Sequence, residues 1–97
     1  MKFIKVPISE TQFHLHFFCP GCQARHAIND TWEFNGDYEK PTVSPSVLVT
    51  WPEGPERKEN RCHSFIRDGK IEFLHDCTHA LAGKTVELPE ITIDSPV

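Results

Sequence analysis

The chain has 97 residues, four cysteines and a formal net charge of −4. A chain of this length buries a limited core and often needs a metal ion or disulfides to stabilise its fold. The acidic balance, with lysine and arginine scattered along the chain, argues against a nucleic-acid-binding protein, and no stretch is long and apolar enough to span a membrane.

The first ten residues, MKFIKVPISE, lack the apolar segment and cleavage site of a signal peptide. We therefore expect a cytoplasmic protein. Structural disulfides are disfavoured in that reducing compartment. The four cysteines then indicate a metal site rather than two disulfides, with four unrelated buried thiols as the alternative.

Short runs with β-branched and aromatic residues follow one another along the chain and predict strands. In chain order these runs are QFHLHFFC, TWEF, SVLVTW, RCHSFIR and KIEFLH. Pro52 to Asn60 is expected to be an exposed loop, and only the segment CTHALAG has a helical character, which its glycine would end. The prediction is a mostly β protein: a small antiparallel single domain over residues 1–97, with a zinc knuckle and at most one short helical turn.

The segment CPGC, from Cys19 to Cys22, is a Cys-x-x-Cys knuckle that follows a predicted strand. Structural zinc prefers four tetrahedral ligands, and thiolates suit it. Cys62 and Cys77 are expected to complete a structural zinc site. His26 or His79 could replace one of the cysteines.

Asp68 and Gly69 separate two strand-like runs and predict a two-residue hairpin turn, in which both residues have positive φ. The predicted cross-strand pairs are Arg67–Lys70, Ile66–Ile71, Ser64–Phe73 and Cys62–His75.

Because side chains alternate between the two faces of a strand, this register separates neighbouring residues into two sets. Cys62 and Cys77 fall on one face, whereas His63 and Asp76 fall on the other. The stretch is therefore expected to carry two chemistries, one on each face of the hairpin.

His63 beside Asp76 has the form of a base oriented by a carboxylate, and such a pair can activate a serine hydroxyl. The segment PTVSPSV offers Ser44 and Ser46 on one expected strand face. Ser46 is the preferred candidate because it enters the predicted strand SVLV. The alternative is an ordinary turn and an ordinary cross-strand pair.

Three segments, FFCPGC, WEFNGDYEKPTVSPSVLV and RCHSFIRDGKIEFLHDCTHALAGKTVELP, resemble a family of small prophage-encoded bacterial proteins related to BubE. BubE accompanies E1-like, E2-like and ubiquitin-like proteins in bacterial conjugation operons. The resemblance implies a serine peptidase that matures or removes the ubiquitin-like protein, in a bacterial host cell. The matching features are the cysteine knuckle, the segment Ser44 to Ser46, and His63.

Three functions follow from these observations. The first is a zinc-stabilised serine peptidase or deconjugase acting at the C-terminus of a bacterial ubiquitin-like protein, or on another protein substrate. The second is a non-enzymatic zinc-ribbon-like adaptor that binds a phage or host protein. The third is a metal hydrolase that uses His63, Asp76 and His79. None of them involves nucleic acid or a membrane.

Overall fold

The computed structural model describes residues 1–91, which form three antiparallel sheets and no helix. The described part of the chain thus has no helix of the length and apolarity needed to cross a membrane. The strands are β1 (Ile4–Pro7), β2 (Phe13–Cys19), β3 (Ala24–Asn29), β4 (Glu33–Phe34), β5 (Val43–Ser44), β6 (Val47–Glu53), β7 (Lys58–Arg67), β8 (Lys70–Phe73) and β9 (Thr85–Glu87).

The sheets have the orders β1-β2-β3, β4-β5 and β6-β7-β8-β9. In β2 the alternation of the sequence is visible as alternating burial, with Leu15, Phe17 and Cys19 buried. These side chains form one hydrophobic core with Ile66 and Phe73 of the third sheet. The prediction of a mostly β, antiparallel fold is confirmed.

The predicted hairpin is present, because Arg67 pairs with Lys70 and Ser64 pairs with Phe73. Asp68 has a φ of 51° and Gly69 a φ of 77°, as the two-residue turn requires. The hairpin thereby establishes which side chains of β7 point into the core and which point outward.

The predicted pair between Cys62 and His75 does not form, because β8 ends at Phe73 and the chain turns. In this turn the amide of Cys77 donates to the carbonyl of Leu74 at 3.2 Å. His75 is consequently exposed, whereas Cys77 returns to the buried side of the sheet.

Two other local expectations were wrong. Pro52 to Asn60 is almost entirely exposed, as expected, but it is mostly strand, since β6 continues to Glu53 and β7 begins at Lys58, and only four residues form the turn between them. The segment CTHALAG forms turns instead of a helix.

Gly69 permits both the hairpin turn and a close approach of the loop that contains Lys40 and Pro41. A β-carbon at Gly69 would lie 3.1 Å from the Cα of Lys40, while one at Gly54, which has the same φ of 77°, would meet nothing within 4 Å. The amide of Gly69 also donates to the carbonyl of Pro41 at 3.0 Å.

We expect Gly69→Ala to reduce the free energy of unfolding more than Gly54→Ala does. Positive φ costs an alanine about 1 kcal/mol at either position, but crowding against backbone adds roughly 1–3 kcal/mol at Gly69 alone. Urea unfolding of the two variants measures the difference. Equal losses would show that the loop moves away without cost.

Candidate functional site

Ser46, His63 and Asp76 form a continuous hydrogen-bonded line. The hydroxyl oxygen of Ser46 lies 3.0 Å from Nε2 of His63, and Nδ1 of His63 lies 3.1 Å from Oδ2 of Asp76. A hydroxyl, an imidazole and a carboxylate in this order can pass a proton from the hydroxyl to the ring. The arrangement has the geometry of a serine nucleophile with an oriented base.

Three different elements position these side chains. Ser46 lies directly before β6, and Leu48 of β6 pairs with His63 in the middle of β7. Ser46 is two residues from Leu48 and is therefore the diagonal neighbour of His63 on the same face. Asp76 comes from the turn after β8, which returns the chain to β7.

The site is open to solvent on the carboxylate side. The side chain of His63 is 25% exposed and that of Asp76 is 40% exposed. Burial opposes ionisation of Asp76, but the hydrogen bond from His63 and the positive charge of Arg61 outweigh it, so its pKa is lowered. Asp76 is thus a carboxylate that stabilises one orientation of the imidazole.

The two candidate serines have different surroundings. Ser44 belongs to β5, where it pairs with Glu33 and is exposed. Only Ser46 makes a hydrogen bond with His63. The expectation that both serines share a strand face was wrong, because Ser44 ends one sheet and Ser46 precedes another.

The second site is a group of four possible metal ligands: Cys19, Cys22, His26 and Cys62. Their ligand atoms all lie within 4.8 Å of one another. Sγ of Cys19 and Sγ of Cys62 are 3.7 Å apart, about the spacing of two thiolates on one tetrahedral zinc. The group contains three of the four predicted cysteines, with His26 as the fourth member.

A buried ring nitrogen supports the assignment of this group as a metal site. Nε2 of His26 has no hydrogen-bond partner, and buried polar atoms in native proteins are normally paired. A cation bound by the three thiols would give this nitrogen a partner. The residues present therefore fit a metal ion.

The three thiols of this group differ in their pKa values. The hydrogen bond with Cys62 lowers the pKa of Cys19 to about 4, while burial and the Cys19 thiolate raise the pKa of Cys22 to about 12. The hydrogen bond with Cys19 and burial also raise the pKa of Cys62. Metal binding would deprotonate the other two thiols.

The knuckle itself is formed by local backbone geometry. The amide of Cys22 donates to Sγ of Cys19 at 3.4 Å, and the amide of Gln23 donates to the carbonyl of Cys19 at 2.8 Å. Gly21 leaves room for the ring of His79, which lies only 2.3 Å from where a β-carbon would be.

Cys77 is not a member of the group of four but belongs to a second group with Cys62 and His79, whose ligand atoms also lie within 4.8 Å of one another. Its thiol accepts a hydrogen bond from the amide of His63 and donates one to the carbonyl of His63, both at 3.2 Å. Donation requires a protonated thiol, whereas a metal ligand is a thiolate. These two hydrogen bonds hold Cys77, the residue after Asp76, against the backbone of His63.

His79 lies beside the knuckle, where its ring packs against Gly21. Its Nδ1 accepts a hydrogen bond from the amide of Leu81 at 3.2 Å, so the neutral ring carries its proton on Nε2. Among residues 1–91 no possible metal-binding group joins His79 to His63 and Asp76. The arrangement expected for a metal hydrolase is therefore absent from the described part of the chain.

β7 connects the two sites, because Cys62 and His63 are consecutive residues with opposite faces. Cys62 is 2% exposed and belongs to the group of four possible metal ligands, while His63 contacts Ser46 and Asp76. Arg61, whose guanidinium lies 3.6 Å from Asp76, was not among the predicted site residues. Arg61 precedes His63 by two residues and therefore lies on the same face of β7, and this spacing was the available signal for its place near Asp76.

Comparison with known proteins gives one family. The sequence model of the family described as bacterial ubiquitination-like system serine protease (BubE) matches residues 2–74. No curated protein and no solved structure matches the chain. The matched range includes Ser46, His63 and all four possible metal ligands, and it ends before Asp76 and Cys77. Since the match covers about three quarters of the 97 residues, the chain belongs to the BubE family of serine proteases from bacterial ubiquitination-like systems.

Proposed function

We propose that this protein is a zinc-stabilised serine peptidase that cleaves at the C-terminus of a bacterial ubiquitin-like protein, releasing it from a precursor or a conjugate. The observation that carries the proposal is the hydrogen-bonded line from Ser46 through His63 to Asp76. Membership of the BubE family supports a protease and a protein substrate.

In the proposed reaction the oxygen of Ser46 attacks the carbonyl carbon of the scissile bond, and Nε2 of His63 accepts the hydroxyl proton. The N–H at Nδ1 donates to Asp76, whose carboxylate holds this tautomer and stabilises the imidazolium. His63 then gives the proton to the leaving group as the bond to it breaks. Water, activated by His63, hydrolyses the resulting acyl ester and regenerates Ser46.

The proposed role of the metal is structural. Cys19, Cys22, His26 and Cys62 would hold a zinc ion, because three thiolates and one imidazole form a closed tetrahedral donor set. Zinc bound there would connect the knuckle to β7. This connection stabilises the strand that carries His63, and no reaction step passes through the metal.

A fluorophosphonate probe tests this function without knowledge of the natural substrate. The probe reacts covalently with a serine activated by a neighbouring base. We expect mass spectrometry to find the label on Ser46 of the metal-loaded protein. Ser44→Ala is expected to keep the labelling, whereas Ser46→Ala and His63→Ala are expected to lose it.

The result that would contradict the proposal is a folded, metal-loaded protein with no labelled serine. A non-enzymatic, metal-stabilised adaptor would then describe the chain better. Labelling of Ser44 in place of Ser46 would retain a serine peptidase but reject the hydrogen-bonded line as its catalytic centre.

A further inference from the structure

Within residues 1–91, β6, the strand that follows Ser46, is an edge strand with free hydrogen-bonding groups. It has β7 as its one neighbour in the sheet. The carbonyl of His63 accepts a hydrogen bond from the amide of Leu74 and therefore points away from β6. The residues on either side of His63, Cys62 and Ser64, direct their backbone groups toward β6. Cys62 and Ser64 pair with Val49 and Val47.

Because backbone groups alternate in direction along a strand, the amides and carbonyls of Leu48 and Thr50 point away from β7. Pro52 has the same parity, and proline is tolerated in strands where its missing N–H faces outward. Among residues 1–91, no backbone hydrogen bond from another strand or loop reaches these outward groups. A further strand could pair with this edge.

An open, mostly apolar cavity of about 300 Å³ lies beside this edge. Its lining residues are Cys22, Ala24, His26, Val49 and Trp51, so it borders the group of possible metal ligands at Cys22 and His26. Two of them come from β6 and two from β3, which is itself an edge strand of the first sheet. The cavity is therefore bordered by the free edges of two sheets.

The opposite face of β6 presents a second apolar contact. Leu48 is 56% exposed and pairs with His63, so its side chain lies on the face that carries the proposed base. The segment from Val47 to Pro52 has no charged residue. This edge thus suits an uncharged, extended peptide rather than a charged one.

We propose that the edge of β6 binds the substrate as an added antiparallel or parallel strand, and that the cavity accepts one of its apolar side chains. The inference rests on the proposed function and specifies the substrate class. An added strand that passes Ser46 reaches Val49 after about 10 Å, since strands rise about 3.3 Å per residue. The apolar side chain therefore lies about three residues from the scissile bond.

The substrate is the occupant that the geometry favours, because the free edge begins at Ser46 itself. A strand bound there lies against the serine hydroxyl and supplies main-chain hydrogen bonds, while its alternate side chains reach the cavity and Leu48. A second copy of this chain on the same edge would cover Ser46.

The matched pair Ala24→Phe and Ala27→Phe tests the inference. Both alanines are exposed on β3, but only Ala24 lines the cavity. A phenylalanine at Ala24 fills the space meant for the substrate side chain. The measured quantity is the cleavage rate of a mixed peptide library divided by the fraction of protein that fluorophosphonate labels. We expect this ratio to fall at least about tenfold in Ala24→Phe. Ala27→Phe should keep the wild-type ratio.

The cleaved peptides should carry an apolar residue about three positions from the cut bond, and this preference should weaken in Ala24→Phe. The metal content of both variants is measured first. If Ala24→Phe loses its metal, Thr50→Pro replaces it, because proline removes one outward amide and leaves the bonds to β7 intact. Cleavage without any preference at this position, or an equal fall in both alanine variants, overturns the inference.

A binding experiment separates this inference from catalysis. If the wild-type protein cleaves no peptide, the library is passed over immobilised Ser46→Ala protein. Retention of apolar peptides that is lost in Ser46→Ala/Ala24→Phe supports the added strand even where the peptidase proposal fails. No retention, or a concentration-dependent dimer that Thr50→Pro dissociates, overturns it.

Discussion

Ser46→Ala is expected to abolish cleavage of a bacterial ubiquitin-like protein that carries a C-terminal extension. The substitution removes the attacking oxygen, and loss of one member of such a triad lowers kcat by roughly four to six orders of magnitude. Single-turnover cleavage followed by mass spectrometry measures the loss. His63→Ala should be as severe, because the two residues act as one unit.

Ser44→Ala is the matched control, since Ser44 is two residues away, exposed and paired with Glu33 in another sheet. Its activity should equal that of the wild type. Metal content and circular dichroism should be unchanged in Ser46→Ala and Ser44→Ala alike. If Ser46→Ala retained cleavage within tenfold of the wild type, Ser46 would not be the nucleophile.

Removal of the metal is expected to have the largest effect on stability. The group closes a loop from Cys22 to Cys62 and brings together two sheets. Zinc binding to small domains contributes about 10–16 kcal/mol, as much as the whole net stability of a typical domain, about 5–15 kcal/mol. We therefore expect Cys19→Ala, or a strong chelator, to eliminate the cooperative thermal transition.

Two further variants decide which residue is the fourth ligand. His26→Ala should lower the metal content from about one zinc per chain, whereas Cys77→Ala should retain the zinc. Cys77→Ala should instead lower cleavage about ten- to a hundredfold, because the thiol no longer holds the backbone of His63 beside the turn containing Asp76.

Elemental analysis of protein purified without added metal, together with thermal unfolding, measures these effects. The opposite result, zinc retained in His26→Ala and lost in Cys77→Ala, would restore the set of four cysteines expected from the sequence. Unchanged unfolding in the presence of the chelator would exclude a structural metal.

The hairpin and the knuckle could be predicted from the sequence, because each depends on residues that are close together in the chain. Asp68 and Gly69 predicted the hairpin because few residues other than glycine, asparagine and aspartate adopt positive φ at low cost. The register then follows from pairing next to the turn, and alternation places Cys62 and His63 on opposite faces. The CPGC knuckle was also visible, because Cys-x-x-Cys presents two thiolates from one turn.

Prediction failed where a strand ended or where only weak local signals existed. The predicted pair of Cys62 and His75 was wrong because the chain turns after Phe73. The alternation of side chains along a strand contains no information about such a turn. Strands β1, β3 and β9 were not singled out, because short edge strands have few apolar residues and depend on their neighbours.

Local sequence was enough to predict the mostly antiparallel class, the tight hairpin, the Cys-x-x-Cys knuckle and the candidates Ser44, Ser46, His63 and Asp76, because turn residues and side-chain alternation act within a few positions. The three-dimensional packing was needed to see that Ser46 is the serine beside His63 and that His26 lies with Cys19, Cys22 and Cys62. Only the packed sheets bring the edges of β3 and β6 to one cavity. These contacts join residues far apart in the chain, and their distances depend on how three sheets pack around one core.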